Sequence, residues 1–235
     1  MVFDPTLSQA ITGISSMATR NVLADLVEQY TRHSRQRVAV ESVGGVEAAR
    51  RVLDGEPFDM VVLAAGAIDR LAAAGRVVAG TRADLARSGV AIAVAAGATQ
   101  PDITSDAAVR NAILAARSIG YSTGPSGSHL VRLFERWGIA ETIAPRIVQA
   151  PPGVPVGSLV ASGDIELGFQ QLSELMHLPG IDVVGTLPSD IQVVTVFSAA
   201  VCTASEQVAE AQALIAFLAS PQAASAKLAH GMEPA

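Results

Sequence analysis

The chain has 235 residues, of which 50% are hydrophobic and 16% are charged, and its formal net charge is −6. This length and composition exclude general disorder and are sufficient for one large domain or two small lobes. The acidic balance argues against nucleic-acid binding, which requires a basic patch. Small anions remain possible ligands, because a local ring of hydrogen-bond donors can bind an anion even in a protein of negative net charge.

Neither metal binding nor membrane insertion is indicated. Cys202 is the single cysteine, which excludes an internal disulfide and a cysteine-rich zinc site. The four histidines are far apart in sequence, so we expect no metal ion and no other cofactor. Mean hydropathy is +0.39, but the apolar runs are shorter than the roughly 20 residues that span a bilayer.

Residues 1–5 lack the basic and apolar regions of a signal peptide. We therefore expect no export signal in this chain. That expectation implies a cytoplasmic location as the chain is written, or a periplasmic one if a leader was trimmed.

Segments typical of strands and helices alternate along the chain, which predicts an α/β fold with a largely parallel sheet. The predicted strands are, in order, 9–14, 37–43, 59–64, 90–96, 118–122, 145–149, 166–170, 181–184 and 191–200. The predicted helices are 17–30, 46–53, 67–74, 106–117, 129–137, 157–161, 173–176, 207–218 and 221–228.

Four loops each follow a predicted strand and open a predicted helix. Ligands of open α/β sheets bind at the carboxyl ends of strands, where helix amino termini offer unpaired N–H groups suited to anions. The candidate binding residues of the first two loops are Ser15, Ser16, Met17, Gly44 and Gly45. The alternatives are a plain N-cap at Ser15 or Ser16 and a tight turn at the two glycines.

The third loop, 122–129, carries the strongest local signal. It combines four hydroxyls, two glycines and a histidine at a predicted helix start, but it lacks the lysine of a phosphate-binding P-loop. The fourth loop, 151–158, is either a site element or a rigid connection. A glutamine pair then ends the next predicted strand. The candidates from these segments are Ser126, Gly127, Ser128, His129, Val154, Gln170 and Gln171.

These loops resemble those of the type II periplasmic-binding-protein superfamily, and within it the molybdate-binding-protein-like solute receptors. The resemblance covers nearly the whole chain and includes the Gly-x-Pro-x-Asp run at 55–59 and the helical ending 216–224. It implies two α/β lobes with mixed, mostly parallel sheets, joined by two crossing strands, with the ligand in the cleft. The crossings would lie at 88–93 and 195–200. Lobe I would then hold residues 1–88 and 199–235, and lobe II residues 89–198.

The resemblance also bears on the ligand. The family's oxyanion pocket uses a hydroxyl in the first loop, a serine in the second and a tyrosine in the late strand-end loop. Here the second loop has glycines and the late loop has glutamines. The implied pocket is roomier, so a di- or tricarboxylate fits it better than molybdate. Arg20, one helical turn beyond Ser16, would pair a carboxylate bidentately, the alternative being a solvated arginine.

Two main functions stay open. The first is a monomeric solute receptor that clamps a small anion and serves an ABC permease. The second is an isomerase on the same scaffold, as in relatives such as aconitate isomerase, which shifts an allylic double bond of a tricarboxylate by proton transfer. His129 would then be the acid or base, with Glu41 and Glu47 in reserve and Ser15, Ser126 and Ser128 holding carboxylates. A cytoplasmic sensor domain is the third and weakest interpretation.

Overall fold

The computed structural model of the chain describes residues 9–235, which divide into two compact units. Unit 1 comprises the described residues up to Ala86, with Val196–Ala229 and Glu233–Ala235. Unit 2 comprises Arg87–Thr195 and His230–Met232. Residues 1–5, on which the expectation of no export signal depends, lie outside the described residues.

The strands and helices alternate as the sequence predicts. The strands are β1 Ile11–Ser16, β2 Val38–Val43, β3 Met60–Ala64, β4 Ala83–Ala95, β5 Ile119–Tyr121, β6 Ile147–Gln149, β7 Leu167–Gln171, β8 Ile181–Thr186, β9 Val194–Val201 and β10 Glu233–Pro234. The α-helices are α1 Arg20–Ser34, α2 Gly45–Leu53, α3 Ala65–Ala73, α4 Asp106–Ala115, α5 Pro125–Arg136, α6 Ala140–Ile143, α7 Val156–Ala161, α8 Leu172–Leu175, α9 Val208–Ala219 and α10 Ala224–Ala229. Short 3₁₀ turns lie at Met17–Thr19, Ala144–Arg146 and Pro221–Ala223.

The sheet of unit 1 has the strand order β2-β1-β3-β9. β1 pairs in parallel with β2 and β3, and β9 runs antiparallel to β3. β3 begins as an unbroken apolar run in which Met60, Val61, Val62 and Leu63 are all buried. That pattern is typical of a parallel strand covered on both faces. On α1, the buried residues Val22, Leu23 and Leu26 recur at helical spacing and form the apolar face of the helix.

Asp59 ties the start of β3 to distant parts of unit 1. Its carboxylate accepts hydrogen bonds from Thr12, through the backbone N–H at 2.8 Å and the hydroxyl at 2.9 Å. It also accepts from the Ser205 hydroxyl at 2.7 Å and from the Gln207 amide at 3.3 Å. Asp59 is buried, so its carboxylate has lost hydrogen bonds to water, and these four donor groups replace them.

The sheet of unit 2 is centred on β7 and β5. β5 pairs in parallel with β6 and β7, while β4 runs antiparallel to β7 and β8. The main core of unit 2 forms between this sheet and helices α4 and α5, and includes Phe169, Ile113, Leu130 and Phe134.

Three local predictions are wrong. The third loop is shorter than predicted, because α5 begins at Pro125 rather than 129. Proline is tolerated at the first helical position, where its missing N–H and fixed φ cost nothing. β4 begins at Ala83 rather than 90. Neither Ser15 nor Ser16 caps a helix with its side chain, since α1 follows a 3₁₀ turn and has Thr19 at its N-cap position. Two short elements, α6 and β10, were not predicted.

Within residues 9–235, no helix is both long enough and apolar enough to cross a bilayer.

Candidate functional site

In unit 1, the loops after β1 and β2 leave the sheet side by side. The two strands are parallel, and their register places Ser15 opposite Ser42 and Ser16 opposite Val43. The Ser15 hydroxyl lies 2.8 Å from the Ser42 hydroxyl, and Ser15 is fully buried. The structure therefore adds Ser42 to the predicted residues of this edge. Sequence spacing did not single out Ser42, because the strand register was unknown.

Ser16 has a buried hydroxyl that lacks a hydrogen-bond partner within the part of the chain that the structure describes. Its side chain is buried, at 7% exposure, and its hydroxyl oxygen has no hydrogen-bond partner among the described residues. A buried hydroxyl without a partner costs about 1–3 kcal/mol. The backbone of Gly45 is close by, since a Cβ built there would lie 3.5 Å from the Ser16 Cβ. Gly44 is the N-cap residue of α2. The edge thus combines an unpaired hydroxyl with a glycine backbone that leaves space.

The other predicted residues of unit 1 lie beside this edge. Met17 is half-buried and opens the 3₁₀ turn. Arg20 is exposed at the first position of α1. It borders an open cavity of about 400 Å³ between α1 and β2, whose lining residues are Arg20, Leu23, Ala24, Val27, Val40 and Ser42. Ser42 therefore lines this cavity and also contacts Ser15.

In unit 2, three parallel strands bring the remaining predicted loops to one edge. The register places Tyr121 of β5 opposite Gln149 of β6 and Phe169 of β7. The segments that follow these three strands therefore leave the sheet at the same end. The first two of these segments contain the predicted residues Ser126, Gly127, Ser128 and Val154, and the predicted residues Gln170 and Gln171 are the last two of β7 itself.

The start of α5 is the most constrained part of this edge. Ser126 is buried, and its hydroxyl lies 3.5 Å from the Ser122 hydroxyl. A Cβ at Gly127 would overlap the carbonyl oxygen of Ser122, so only glycine fits there. The first backbone N–H groups of an α-helix have no partner within the helix. Ser128, in contrast, is exposed.

The imidazole of His129 contacts the backbone of a residue that is distant in sequence. Its Nε2 lies 2.8 Å from the carbonyl oxygen of Ile191. A carbonyl oxygen only accepts hydrogen bonds, so Nε2 is the donor in this contact. This contact gives His129 a structural role whether or not it also acts on a substrate.

Both the oxygen and the nitrogen of the Gln170 side-chain amide form hydrogen bonds. Its oxygen accepts a hydrogen bond of 2.9 Å from the backbone N–H of Val156, at the start of α7. Its nitrogen donates a hydrogen bond of 2.7 Å to Glu174. Gln170 thus fixes the end of the loop that carries Val154.

Glu174 is a residue that sequence analysis missed. Burial raises the pKa of its carboxyl to about 7, and the hydrogen bond from Gln170 opposes this only in part. In the described residues it belongs to none of the ion pairs. A carboxyl with this pKa exchanges protons near neutral pH, as functional acids and bases do. In the sequence it is one more glutamate of a short helix, with nothing to show its burial.

The Gln171 side chain points to β4 and β9. In the amide orientation that satisfies all partners, its nitrogen donates to the carbonyl of Ser88 at 2.9 Å, and its oxygen accepts from the Thr195 hydroxyl at 2.8 Å. Gln171 is buried, so its polar groups are used in holding strands together.

The two reserve bases are paired with arginines. Glu41 accepts hydrogen bonds of 2.7 and 2.9 Å from Arg51. The hydrogen bond from Arg50 lowers the pKa of Glu47, which makes it a weaker base. Among the described residues, no group of three or more histidine, cysteine, aspartate and glutamate side chains could hold a metal ion.

The comparisons with known proteins agree with this architecture. Residues 11–233 match the family model described as bacterial extracellular solute-binding protein. An aconitate isomerase from a Pseudomonas species is 38% identical over 221 residues, which cover 93% of this chain and 84% of that protein.

Among solved structures, the periplasmic molybdate-binding protein of Azotobacter vinelandii aligns with a TM-score of 0.79 and 20% identity, over 94% of this chain and 98% of that one. A sulfate-binding protein from Mycobacterium tuberculosis aligns with a TM-score of 0.77 and 15% identity, over 97% of this chain and 87% of that one. At these identities the likeness concerns the fold, and it confirms the type II periplasmic-binding-protein fold. By the family model that matches residues 11–233, the chain belongs to the bacterial extracellular solute-binding protein family.

Proposed function

We propose that this protein binds a small organic anion, a di- or tricarboxylate of the aconitate type, through loops at the carboxyl ends of its parallel strands. The observation that carries the proposal is the Ser16 hydroxyl, which is buried without a partner at the end of β1. An anion that accepts a hydrogen bond from Ser16 would remove the energetic cost of this unpaired group. Ser42 and Arg20 line the cavity between α1 and β2 and offer further hydrogen-bond donors in unit 1.

An organic anion is favoured over a small inorganic oxyanion for two reasons. The second loop offers glycine where a compact oxyanion pocket would need another hydroxyl. The aconitate isomerase relative, at 38% identity, is also far more similar in sequence than the molybdate-binding structure at 20%. As a receptor, the protein would act as a monomer and pass its ligand to an ABC permease.

Titration calorimetry with trans-aconitate, cis-aconitate, citrate, molybdate and sulfate tests this proposal. We expect the tricarboxylates to bind more tightly than the two inorganic anions. Ser16→Ala should weaken trans-aconitate binding about tenfold, because a hydrogen bond to a charged group contributes roughly 1.5–3 kcal/mol. Ser225→Ala, an exposed serine of α10, is the matched control. Equal affinity of Ser16→Ala and the parent protein would remove Ser16 from the site.

Isomerisation of the bound acid is the second candidate function, favoured by the aconitate isomerase relative. The reaction requires a group that removes one allylic proton and returns another. Proton NMR of the protein with trans-aconitate in heavy water separates the two functions. Deuterium exchange at an allylic carbon, or appearance of the cis isomer, would indicate an enzyme. Binding without either would indicate a receptor.

His129→Ala tests the proposed role of His129 in that reaction. If His129 transfers the proton, the variant keeps its affinity for trans-aconitate and loses turnover. If turnover persists, the contact with the Ile191 carbonyl is the whole role of His129.

A further inference from the structure

The segment His230–Met232 lies against α8, and both belong to unit 2. Gly231 has a φ of 68°, in the left-handed region that favours glycine. A Cβ built on Gly231 would lie 2.9 Å from Cγ of Leu172 and 3.1 Å from Sδ of Met176, so glycine allows this close approach. Met232 is buried and anchors the segment. The backbone therefore holds His230 beside the end of α8.

At this place the imidazole of His230 meets the imidazole of His177. The ring centroids are 5.1 Å apart, and the ring planes make an angle of 79°. Two imidazoles that bind one tetrahedral ion through nitrogens at about 2.0 Å have their centroids about 5 Å apart. The two rings thus already have the separation that a shared ion requires. His177 is exposed and His230 is half-buried, so an ion can reach them from solvent.

Met176 offers a third donor atom at the same place. It directly precedes His177 in the sequence, and 45% of it is exposed. Its Sδ lies close to Gly231, the neighbour of His230. Thioether sulfur is a soft ligand that selects Cu⁺, whereas imidazole suits both copper and zinc. Two imidazole nitrogens and one thioether sulfur therefore make a donor set suited to Cu⁺.

We propose that His177, His230 and Met176 bind one Cu⁺ ion at the surface of unit 2. Binding requires rotation of the exposed Met176 and His177 side chains, because the backbone already places the three residues together. The flexible Met side chain has three rotatable bonds and adapts readily to such a contact. None of these residues belongs to the proposed anion site, so the copper site does not depend on the proposed function.

The experiment measures Cu⁺ affinity of the full chain under anaerobic conditions, by competition with the coloured chelator bathocuproine disulfonate. The parent protein should bind one Cu⁺ per chain. His177→Ala and His230→Ala should each weaken binding at least about tenfold, since even the loss of a residue that only supports a metal ligand costs 10–100-fold in affinity. His33→Ala, at an exposed histidine of α1, is the matched control and should bind as the parent protein does.

Met176→Leu tests the choice of metal. The variant keeps the apolar volume and both imidazoles, so its Cu⁺ affinity should fall about tenfold while its Zn²⁺ affinity, measured by titration calorimetry, stays unchanged. Proton NMR with Cu⁺ should shift the imidazole signals of His177 and His230 and leave those of His33 and His129 in place. Circular dichroism of each variant verifies that it is folded.

Two results would overturn the inference. The first is parent-like Cu⁺ affinity in the exposed-site variant His177→Ala, which would show that the ring pair does not bind the ion. The second is parent-like Cu⁺ affinity in Met176→Leu, which would remove the sulfur ligand and with it the preference for Cu⁺. Neither result would bear on the binding of trans-aconitate.

Discussion

The Thr195 hydroxyl donates a hydrogen bond of 2.8 Å to the amide oxygen of Gln171, and the same amide donates to the carbonyl of Ser88. Both Gln171 and Thr195 are buried. One side chain at the end of β7 therefore holds residues of β4 and β9 within unit 2. Gln171, which was predicted to donate to a ligand, thus has a structural role.

Replacing Gln171 with methionine should destabilise the protein. The substitution keeps the side-chain volume but leaves the Thr195 hydroxyl and the Ser88 carbonyl without this partner, at a cost of about 2 kcal/mol in the free energy of unfolding. Urea denaturation followed by circular dichroism measures the change. Gln222→Met, at an exposed position, should change the free energy by less than about 0.5 kcal/mol. A Gln171→Met protein as stable as this control would show that the amide contributes nothing.

Asp59 should be among the most sensitive polar positions of unit 1. Asp59→Ala leaves the Thr12 N–H, the Ser205 hydroxyl and the Gln207 amide without their acceptor. We expect a loss of about 3 kcal/mol, since several buried donors lose one shared partner. Asp54→Ala is the control, because Asp54 is exposed and its ion pair with Arg50 contributes little. Similar urea midpoints for the two variants would contradict this assignment.

Gly127 should tolerate no side chain. Gly127→Ala places a Cβ against the carbonyl oxygen of Ser122, so the start of α5 must shift. We expect a loss of more than about 1 kcal/mol in stability together with weaker anion binding. Gly66→Ala in α3 has no atom within 4 Å of the new Cβ and should be neutral or slightly stabilising. Thermal unfolding of both variants with and without trans-aconitate measures the two effects, and an unchanged Gly127→Ala protein would refute the argument.

Glu174 should make the stability of the protein depend on pH. Its pKa is raised from an ordinary 4.5 to about 7 in the folded state, so folding favours the protonated acid. The stability that Glu174 contributes is fully present below about pH 4.5 and is lost as the pH rises through 7. Relative to the parent protein, Glu174→Gln should gain stability between pH 5 and pH 8, by a few kcal/mol at most. Urea denaturation of both proteins at pH 5 and pH 8 measures this gain, and a constant difference would contradict it.

The order of strands and helices was predictable because it depends on local patterns. The apolar run of β3 and the spacing of apolar residues on α1 are visible in the sequence itself. The start of β4 was not predictable, because residues 83–89 mix polar and apolar side chains without a strand pattern and depend on distant partners. Leu85, for example, accepts a hydrogen bond from the N–H of Ala235, and Asp84 accepts one from Ser198.

The candidate site was predictable as a set of loops but not as a set of contacts. Hydroxyls and glycines after strands pointed to Ser16 and Gly127. The pairing of Ser15 with Ser42 depends on the register of β1 and β2, which sequence spacing does not reveal. The pKa of Glu174 depends on burial by the rest of unit 2, which no local pattern encodes.

The central claim, that this protein binds a small organic anion, is tested most directly by titration calorimetry of the full chain with trans-aconitate and, in parallel, with molybdate. The account predicts saturable one-to-one binding of trans-aconitate, weaker binding of molybdate, and a loss of trans-aconitate affinity in Ser16→Ala. Tight binding of molybdate with no heat from trans-aconitate would contradict it.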